Sequence, residues 1–259
     1  MFISLMRYDA SMNPTSETVY VGGELNLFSR ATNWKCYVKA TIKEYLVGDV
    51  LEVGAGIGST TLAMHNGIAN RWICLEPDLS NASRLKTSIV ERSEYKGTQV
   101  IAGSLGALAK RSSFDCILYM DVLEHIHDDR DQIQAAAQLV RRGGYIIILS
   151  PAHQWLFSEF DKSIGHLRRY NKELLQSLMP SGWIQVRLAY LDSVGALLSL
   201  GNALALRQAM PSPRQIAIWD RFCIPLSRIM DFILREKCGK SILAVWRKPN
   251  LCNLQIPQS

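Results

Sequence analysis

Seven short apolar runs dominate the hydrophobic pattern of this chain. They predict strands over residues 50–53, 71–76, 98–102, 114–120, 145–150, 183–188 and 241–248. The run at 114–120 is almost continuously apolar, as expected for a strand that helices cover on both faces. Segments between the runs, such as 59–64 and 132–140, show helix signals. This alternation predicts an α/β fold with a doubly wound parallel sheet.

Two helical segments lie outside this alternation. Apolar residues at three- and four-residue spacing predict a lid helix over 24–46, and a second amphipathic pattern, over 216–233, lies within an insertion at 192–240. Pro225 should kink or divide the second pattern. It forms either a cap over an active site or a surface for a lipid-linked acceptor. We therefore expect an N-terminal segment with a lid helix (1–46), a main domain with a helical insertion (47–248, insertion 192–240) and a tail (249–259).

Composition and charge change this picture little. The chain has 259 residues, of which 48% are hydrophobic, enough for a substantial core. Its net charge of +6 suits an acidic substrate, an anionic membrane surface or nucleic acid, but the basic residues are dispersed along the sequence, which favours a role in solubility. Six cysteines without a C-x-x-C pair and a start without a signal-peptide pattern predict a reduced, cytoplasmic setting.

A glycine-rich turn follows the first predicted strand. Gly54, Gly56 and Gly58 form G-x-G-x-G, with Glu52 two residues upstream and a helix start after them. Such a turn lets a ligand lie against bare backbone at a helix N-terminus, which predicts a nucleotide or nucleoside ligand. Glu76 ends the second strand about twenty residues later, where a carboxylate can accept hydrogen bonds from ribose hydroxyls.

The glycine turn, the D-V-L-E-H-I segment at 121–126 and the helix-Gly-Gly-strand element at 139–150 resemble class I S-adenosylmethionine-dependent methyltransferases. The resemblance implies a Rossmann-like, seven-stranded sheet with an antiparallel last strand, and S-adenosylmethionine as cofactor. Many members carry an acid for the adenine where this chain has Ser104. The implied cofactor-binding residues are Glu52, Gly54, Ala55, Gly56, Gly58, Glu76, Pro77, Ser104, Leu105, Asp121 and Val122.

The segment beyond the fifth strand carries the candidates for the acceptor side. Its P-A-H and D-x-x-x-G-H-x-R-R-Y patterns, at 151–153 and 161–170, resemble a methyltransferase subgroup of specialised or cell-surface metabolite biosynthesis. His153, His166 and His125 are the candidate bases, with His153 favoured because it follows the strand end most closely. Arg168 and Arg169 form either a fork for an anionic acceptor or a solvated face with a salt bridge to Asp161. Trp34, Tyr37 and Tyr170 complete the predicted substrate contacts, with core packing as the alternative for Trp34 and Tyr37.

These observations predict an enzyme that methylates a small molecule, such as a specialised metabolite or a lipid-like acceptor. The acceptor would be apolar or anionic, and contact with a membrane surface stays open. Nucleic acid is disfavoured because no N/D-P-P-Y/F segment follows the fourth strand. We expect no metal, because H-x-x-x-H and H-E-x-x-H pairs are absent from the sequence. The alternatives are a nicotinamide-dependent oxidoreductase, which the glycine spacing opposes, and a non-catalytic nucleoside-binding scaffold.

Overall fold

The seven predicted strands form one sheet in a computed structural model, which describes residues 24–65, 67–90, 92–95, 97–109, 112–202 and 210–250. The strands are β1 (Asp49–Val53), β2 (Arg71–Glu76), β3 (Thr98–Ala102), β4 (Phe114–Met120), β5 (Val140–Pro151), β6 (Ile184–Leu191) and β7 (Ser241–Arg247).

The strand order is β3-β2-β1-β4-β5-β7-β6. The first five strands are mutually parallel, whereas β7 runs antiparallel to both β5 and β6. The predicted doubly wound sheet with an antiparallel last strand is therefore confirmed. In such a sheet the carboxyl ends of the parallel strands share one edge, where ligands bind.

Helices cover both faces of the sheet. On β4, Ile117 and Tyr119 belong to one buried cluster, and Cys116 and Leu118 belong to another on the opposite face. This explains why the strand is apolar at nearly every position. The helices are α1 (Glu24–Phe28), α2 (Thr32–Ile42), α3 (Ser59–Met64), α4 (Leu79–Val90), α5 (Asp129–Leu139), α6 (Glu159–Ser163), α7 (Lys172–Leu178), α8 (Ser193–Gly201), α9 (Pro213–Ile218) and α10 (Ile224–Ile233).

Two predicted helices end differently in the structure. The lid helix is divided into α1 and α2, followed by a 3₁₀ turn over Lys43–Tyr45. The glycine pair at 143–144 does not terminate α5, which ends at Leu139. Val140 already pairs with Phe114 of β4, so β5 starts there and the ladder shifts register before Tyr145. Pairing across the sheet has overridden a local helix-stop signal.

The insertion folds into α8, α9 and α10, with a π-helical turn over Trp219–Cys223 before α10. Pro225 occupies the first turn of α10, where a missing N–H is tolerated. The insertion packs against the lid: Asp220 accepts hydrogen bonds from the backbone N–H groups of Asn33 and Trp34 at 3.1 and 2.9 Å. Asp220 therefore caps the start of α2 from a distant part of the sequence.

The predicted domain boundaries remain predictions, because residues 1–23 and 251–259, as well as 203–209 of the insertion, lie outside the described residues. Within the described part of the chain, no helix combines the length and apolarity needed to cross a bilayer.

Candidate active site

The glycine turn after β1 adopts the backbone conformation that its sequence predicts. Gly54, Gly56 and Gly58 have φ values of 68°, 55° and 87°, in the left-handed region that side chains disfavour. A Cβ on Gly54 would lie 2.7 Å from a methyl group of Val122. Gly54 and Gly56 line a cavity together with Ala55, whereas Gly58 is the N-cap of α3 and packs against Leu85. The turn thus presents bare backbone to the cavity.

Glu76 lies at the end of β2, beside the glycine turn. Its Oε2 accepts a hydrogen bond from the Gly56 N–H at 2.7 Å, and its Oε1 accepts one from the Asp78 N–H at 3.0 Å. Burial raises the pKa of this carboxyl to about 7, against the lowering effect of those two bonds. Glu76 does not itself line the cavity, and the Asn81 side chain also donates to its carboxylate, so one lone pair remains for a ribose hydroxyl.

Glu52, the other predicted acid, does not line the cavity. Its side chain is 1% exposed and accepts a hydrogen bond from the indole N–H of Trp72 at 3.0 Å. Burial raises its pKa to about 7. The structure therefore places Glu52 under the turn as a buried polar group and gives it no direct path to a ligand in the cavity.

Aromatic side chains from separate elements form the outer walls of the cavity. Phe28 and Trp34 come from the lid, Trp219 from the insertion and Phe160 from α6. The ring centroids of Trp34 and Trp219 are 6.0 Å apart, and those of Phe28 and Trp219 are 6.1 Å apart. The indole N–H of Trp219 donates to Asp192 at 2.9 Å, which fixes this ring in place. These rings make the outer part of the cavity apolar.

Charged groups of both signs face the same cavity. Asp121 follows β4 with a φ of 55°, and its side chain is solvent-accessible although protein surrounds it, because it faces the cavity. Burial raises its pKa to about 6, whereas Lys240 and Lys35 oppose that rise. Burial also lowers the pKa of Lys35 to about 8, and its Nζ donates to the Phe28 carbonyl oxygen at 2.6 Å. The cavity can therefore hold a polar group of either sign.

A buried cluster of Glu124, His125 and His166 forms another part of the cavity wall. The His125 and His166 rings meet edge to face, with centroids 4.7 Å apart. His166 Nδ1 lies 2.8 Å from Asp161 Oδ1. The Arg169 guanidinium donates two hydrogen bonds of 2.9 Å to the same aspartate. Two of the three predicted histidines thus reach the cavity.

His153, the favoured base, lies outside the cavity. It has a φ of 64° and its ring stacks on Tyr190, with centroids 4.5 Å apart and planes inclined by 30°. Burial lowers the pKa of this imidazole, and Arg169 adds to that effect. The left-handed backbone turns the side chain away from the strand end, which sequence proximity did not reveal. The placement does not support contact between His153 and an acceptor.

The predicted arginine fork is not formed. Arg168 pairs with Asp129 at 2.6 Å outside the cavity, while Arg169 lines the cavity with its guanidinium bound to Asp161. This matches the alternative that includes a salt bridge to Asp161. The side chains of Arg168 and Arg169 point in different directions, so the two guanidinium groups cannot bind one anion together.

The remaining predicted residues divide between the cavity and the core. Trp34 lines the cavity. Tyr37 is buried and donates to Asp231 at 2.9 Å, and Tyr170 is fully buried and donates to Asp129 at 2.8 Å. These two tyrosines therefore have packing roles. Pro77, Ser104, Leu105 and Val122 do not line the cavity, and their contact with a cofactor remains a prediction.

Several cavity residues escaped the sequence analysis: Glu24, Lys35, Trp219 and Lys240. Glu24 is buried, and burial raises the pKa of its carboxyl to about 7, against the lowering effect of a hydrogen bond with its own backbone. These residues belong to the lid, the insertion and its junction with β7, which lack a local motif. In the sequence, their only sign is a charged or aromatic residue within an amphipathic helix pattern. That sign is weak, because most such residues face solvent or the core.

Comparison with known proteins agrees with this geometry. Residues 51–148 match the family model described as "Methyltransferase domain". Over these residues the chain is similar to the methyltransferase-domain family. The methyl donor of this domain type is S-adenosylmethionine, which is therefore the cofactor that the domain implies.

One curated relative is the norajmaline N-methyltransferase of Rauvolfia serpentina. It is 27% identical over 108 residues, or 41% of this chain, and the match spans 37% of that protein's length. The match thus spans little more than a third of that relative, so it does not establish the activity, substrates or partners of the present chain.

Solved structures with the methyltransferase-domain fold cover most of the chain. The N-methyltransferase NodS from Bradyrhizobium japonicum superposes with a TM-score of 0.53 at 15% identity, covering 87% of this chain and 98% of NodS. The [4+2]-cyclase SpnF superposes with a TM-score of 0.59 at 16% identity, covering 88% and 95%. At such identities the likeness establishes the fold alone, and an N-methyltransferase and a cyclase that share it show that the fold does not fix the reaction.

Proposed function

We propose that this protein is an enzyme that transfers the methyl group of S-adenosylmethionine to a partly apolar small molecule. One observation carries the proposal. The bare backbone of Gly54 and Gly56 opens into the same cavity as a cluster of titratable groups and a set of aromatic rings. A cofactor against the turn and an acceptor among the rings would thus share one enclosed space.

The residues present fit the cofactor that the domain implies. Gly54, Ala55 and Gly56 line the cavity, and Glu76, which accepts a hydrogen bond from Gly56 without lining the cavity itself, ends the neighbouring strand where a carboxylate would meet ribose. The carboxyl of Glu24 lines the same cavity and suits a cationic amine. When bound, S-adenosylmethionine supplies an electrophilic methyl group on a sulfonium.

The chain would then act mainly by positioning. Methyl transfer is an in-line displacement, so a fixed acceptor geometry provides most of the acceleration. The rings of Trp34 and Trp219 would hold the apolar body of the acceptor and exclude water. Two groups can take a proton from an O–H or N–H acceptor: the Asp121 carboxylate and His166, whose orientation Asp161 fixes.

The surface of the insertion favours a lipid-like acceptor. Phe222, Ile229 and Phe232 are exposed, Phe232 at 83%, and Arg221 and Arg228 belong to the same helical segment. An exposed apolar surface with basic neighbours suits an anionic lipid surface. Trp219 belongs to the same π-helical turn as Phe222 and lines the cavity, so a membrane-held acceptor would have a short path inward.

The test begins with titration calorimetry against S-adenosylmethionine, S-adenosylhomocysteine and NAD. We expect micromolar binding of the two sulfur compounds and none of NAD. Acceptor screening by mass spectrometry, with lipid-like amines and alcohols, would then detect a mass gain of one methyl group. Binding of NAD alone would favour the oxidoreductase alternative. Cofactor binding without any methylated product across the screened classes would favour the non-catalytic scaffold.

A further inference from the structure

Three potential metal ligands meet at the inner wall of the cavity. Glu124, His125 and His166 each offer a nitrogen or oxygen atom that can bind a metal. These three atoms lie within 4.8 Å of one another. Glu124 Oε1 and His166 Nε2 are 3.8 Å apart. Two ligands of one tetrahedral metal at bond lengths of about 2.1 Å lie about 3.4 Å apart. Small side-chain adjustments would therefore bring these atoms to bonding distance.

The hydrogen bonds around His166 show which of its nitrogens is available. Asp161 accepts the two Arg169 hydrogen bonds, so it is an ionised acceptor and His166 Nδ1 must be the donor in their 2.8 Å contact. In the neutral imidazole, Nε2 then carries a lone pair. That lone pair faces the cavity wall beside Glu124.

Glu124 presents a matching acceptor. Its side chain is fully buried, its Oε2 accepts a hydrogen bond from Ser150 at 3.0 Å, and its Oε1 has no hydrogen-bond partner among the described residues. The separation of 3.8 Å from His166 Nε2 is too long for a hydrogen bond. Two acceptor atoms at this distance in a buried site are stabilised by a group between them that offers positive charge: a proton on Glu124, the hydrogens of a bridging water, or a metal cation.

The surrounding residues favour the metal. Metal-bound histidines usually donate their other N–H to a carboxylate, which is the relation of His166 to Asp161. Asp161 is in turn fixed by Arg169. His125 supplies the third potential ligand atom, and its hydrogen bond with the backbone of Gly165 helps to fix the orientation of its ring.

We propose that Glu124, His125 and His166 bind one divalent transition-metal ion, such as Zn²⁺ or Co²⁺, with a coordination position open to the cavity. Two imidazoles and one carboxylate suit such ions better than Mg²⁺ or Ca²⁺. This revises the expectation that the chain holds no metal. It also makes His166 a ligand, which leaves Asp121 to accept the acceptor's proton.

The metal site bears on the acceptor, and this step rests on the proposed methyl transfer. Glu124, His125 and His166 line the same cavity as Gly54 and Gly56, so an oxygen or nitrogen donor of an acceptor in that cavity would be able to reach the metal. The acceptor class would be an apolar molecule with a hydroxyl, carboxylate or amine near the atom to be methylated. The metal would hold that group in place opposite the methyl donor.

The experiment uses tag-free, full-length protein stripped with a chelator and titrated with Co²⁺ while its visible absorption is recorded. We expect one Co²⁺ per chain, with absorption bands of a nitrogen- and oxygen-ligated site, and displacement by Zn²⁺. Glu124→Gln and His166→Ala should each weaken Co²⁺ binding at least tenfold. His127→Ala is the matched control, because His127 is exposed and outside the cluster, and its binding should not change.

Two further measurements make the outcome decisive. Circular dichroism and S-adenosylmethionine calorimetry on each metal-free variant would show whether it folds. Absence of stoichiometric Co²⁺ binding, or equal binding by folded Glu124→Gln, would overturn the proposal and assign a proton to the cluster. Because Co²⁺ is titrated without cofactor, metal binding without S-adenosylmethionine binding would refute the proposed methyl transfer while leaving the metal site standing.

Discussion

Glu76 and Gly56 are joined by a hydrogen bond of 2.7 Å from the glycine N–H to the carboxylate. The two residues are separated by 20 positions, on the turn after β1 and at the end of β2. The bond fixes the turn against the neighbouring strand before any ligand is present. It also places the carboxylate where a ribose would lie if the nucleoside follows the turn.

Replacing Glu76 should therefore weaken cofactor binding. We expect Glu76→Ala to lower S-adenosylmethionine affinity at least tenfold, since about 1.4 kcal/mol or more accompanies a lost charge-assisted contact. Glu76→Gln should fall between this variant and the wild type. Calorimetry measures both, and Glu94→Gln serves as an exposed control. An unchanged dissociation constant for folded Glu76→Ala would remove this residue from the cofactor site.

Glu52 should make stability depend on pH. Its pKa is raised from 4.5 to about 7 by burial, so its contribution to stability is fully present below pH 4.5 and is lost as the pH rises to about 7. Glu52→Gln keeps an acceptor for Trp72 but cannot ionise. We expect the variant to match the wild type near pH 4.5 and to exceed it by up to about 3 kcal/mol at pH 8.

Urea unfolding at several pH values measures this difference. The other buried carboxyls titrate in both proteins, so the difference between the two curves isolates Glu52. If Glu52→Gln were less stable by the same amount at every pH, the carboxylate would be ionised in the folded protein and the raised pKa would be wrong.

His153 should be dispensable for methyl transfer. Its ring stacks on Tyr190 outside the cavity, so His153→Ala should keep turnover within about twofold and lose about 0.5–1.5 kcal/mol of stability. His166→Ala should lower turnover at least tenfold. Initial rates with the acceptor found by screening, together with thermal unfolding, would check both. A His153→Ala enzyme with intact stability and much reduced turnover would restore the role that its sequence position suggests.

The exposed apolar residues of the insertion should bind anionic vesicles. Phe232 belongs to α10 and Phe222 to the π-helical turn before it, and both are exposed. We expect co-sedimentation with vesicles that contain phosphatidylserine and little with phosphatidylcholine alone. Phe232→Asp should lower the bound fraction severalfold, because a charge would replace an inserting ring. Leu79→Asp, at an exposed position on α4, is the control. Equal vesicle binding by the wild type, Phe232→Asp and Leu79→Asp would show that this surface is not the membrane-binding site.

Strand positions were predictable because apolar runs and strand-end signals are local. The glycine turn was predictable too, since its φ values admit few other residues. The acceptor side was not, because side-chain direction there depends on tertiary contacts. Positive φ at His153 turns one histidine away, and Asp161 draws Arg169 inward while Asp129 draws Arg168 outward. Lys35 and Trp219 meet across the cavity only through packing of the lid on the insertion.

Asp220 joins the insertion to the start of α2, and the Tyr37–Asp231 hydrogen bond joins α2 to α10. Both aspartates are buried, so water does not readily replace their partners. The two segments consequently form a single roof over the cavity despite their separation in the sequence. Acceptor exchange must either move the lid and the insertion together or use an opening that leaves their contact intact. If exchange requires the two to separate, a cross-link between them should stop turnover. If a permanent opening exists, turnover should continue.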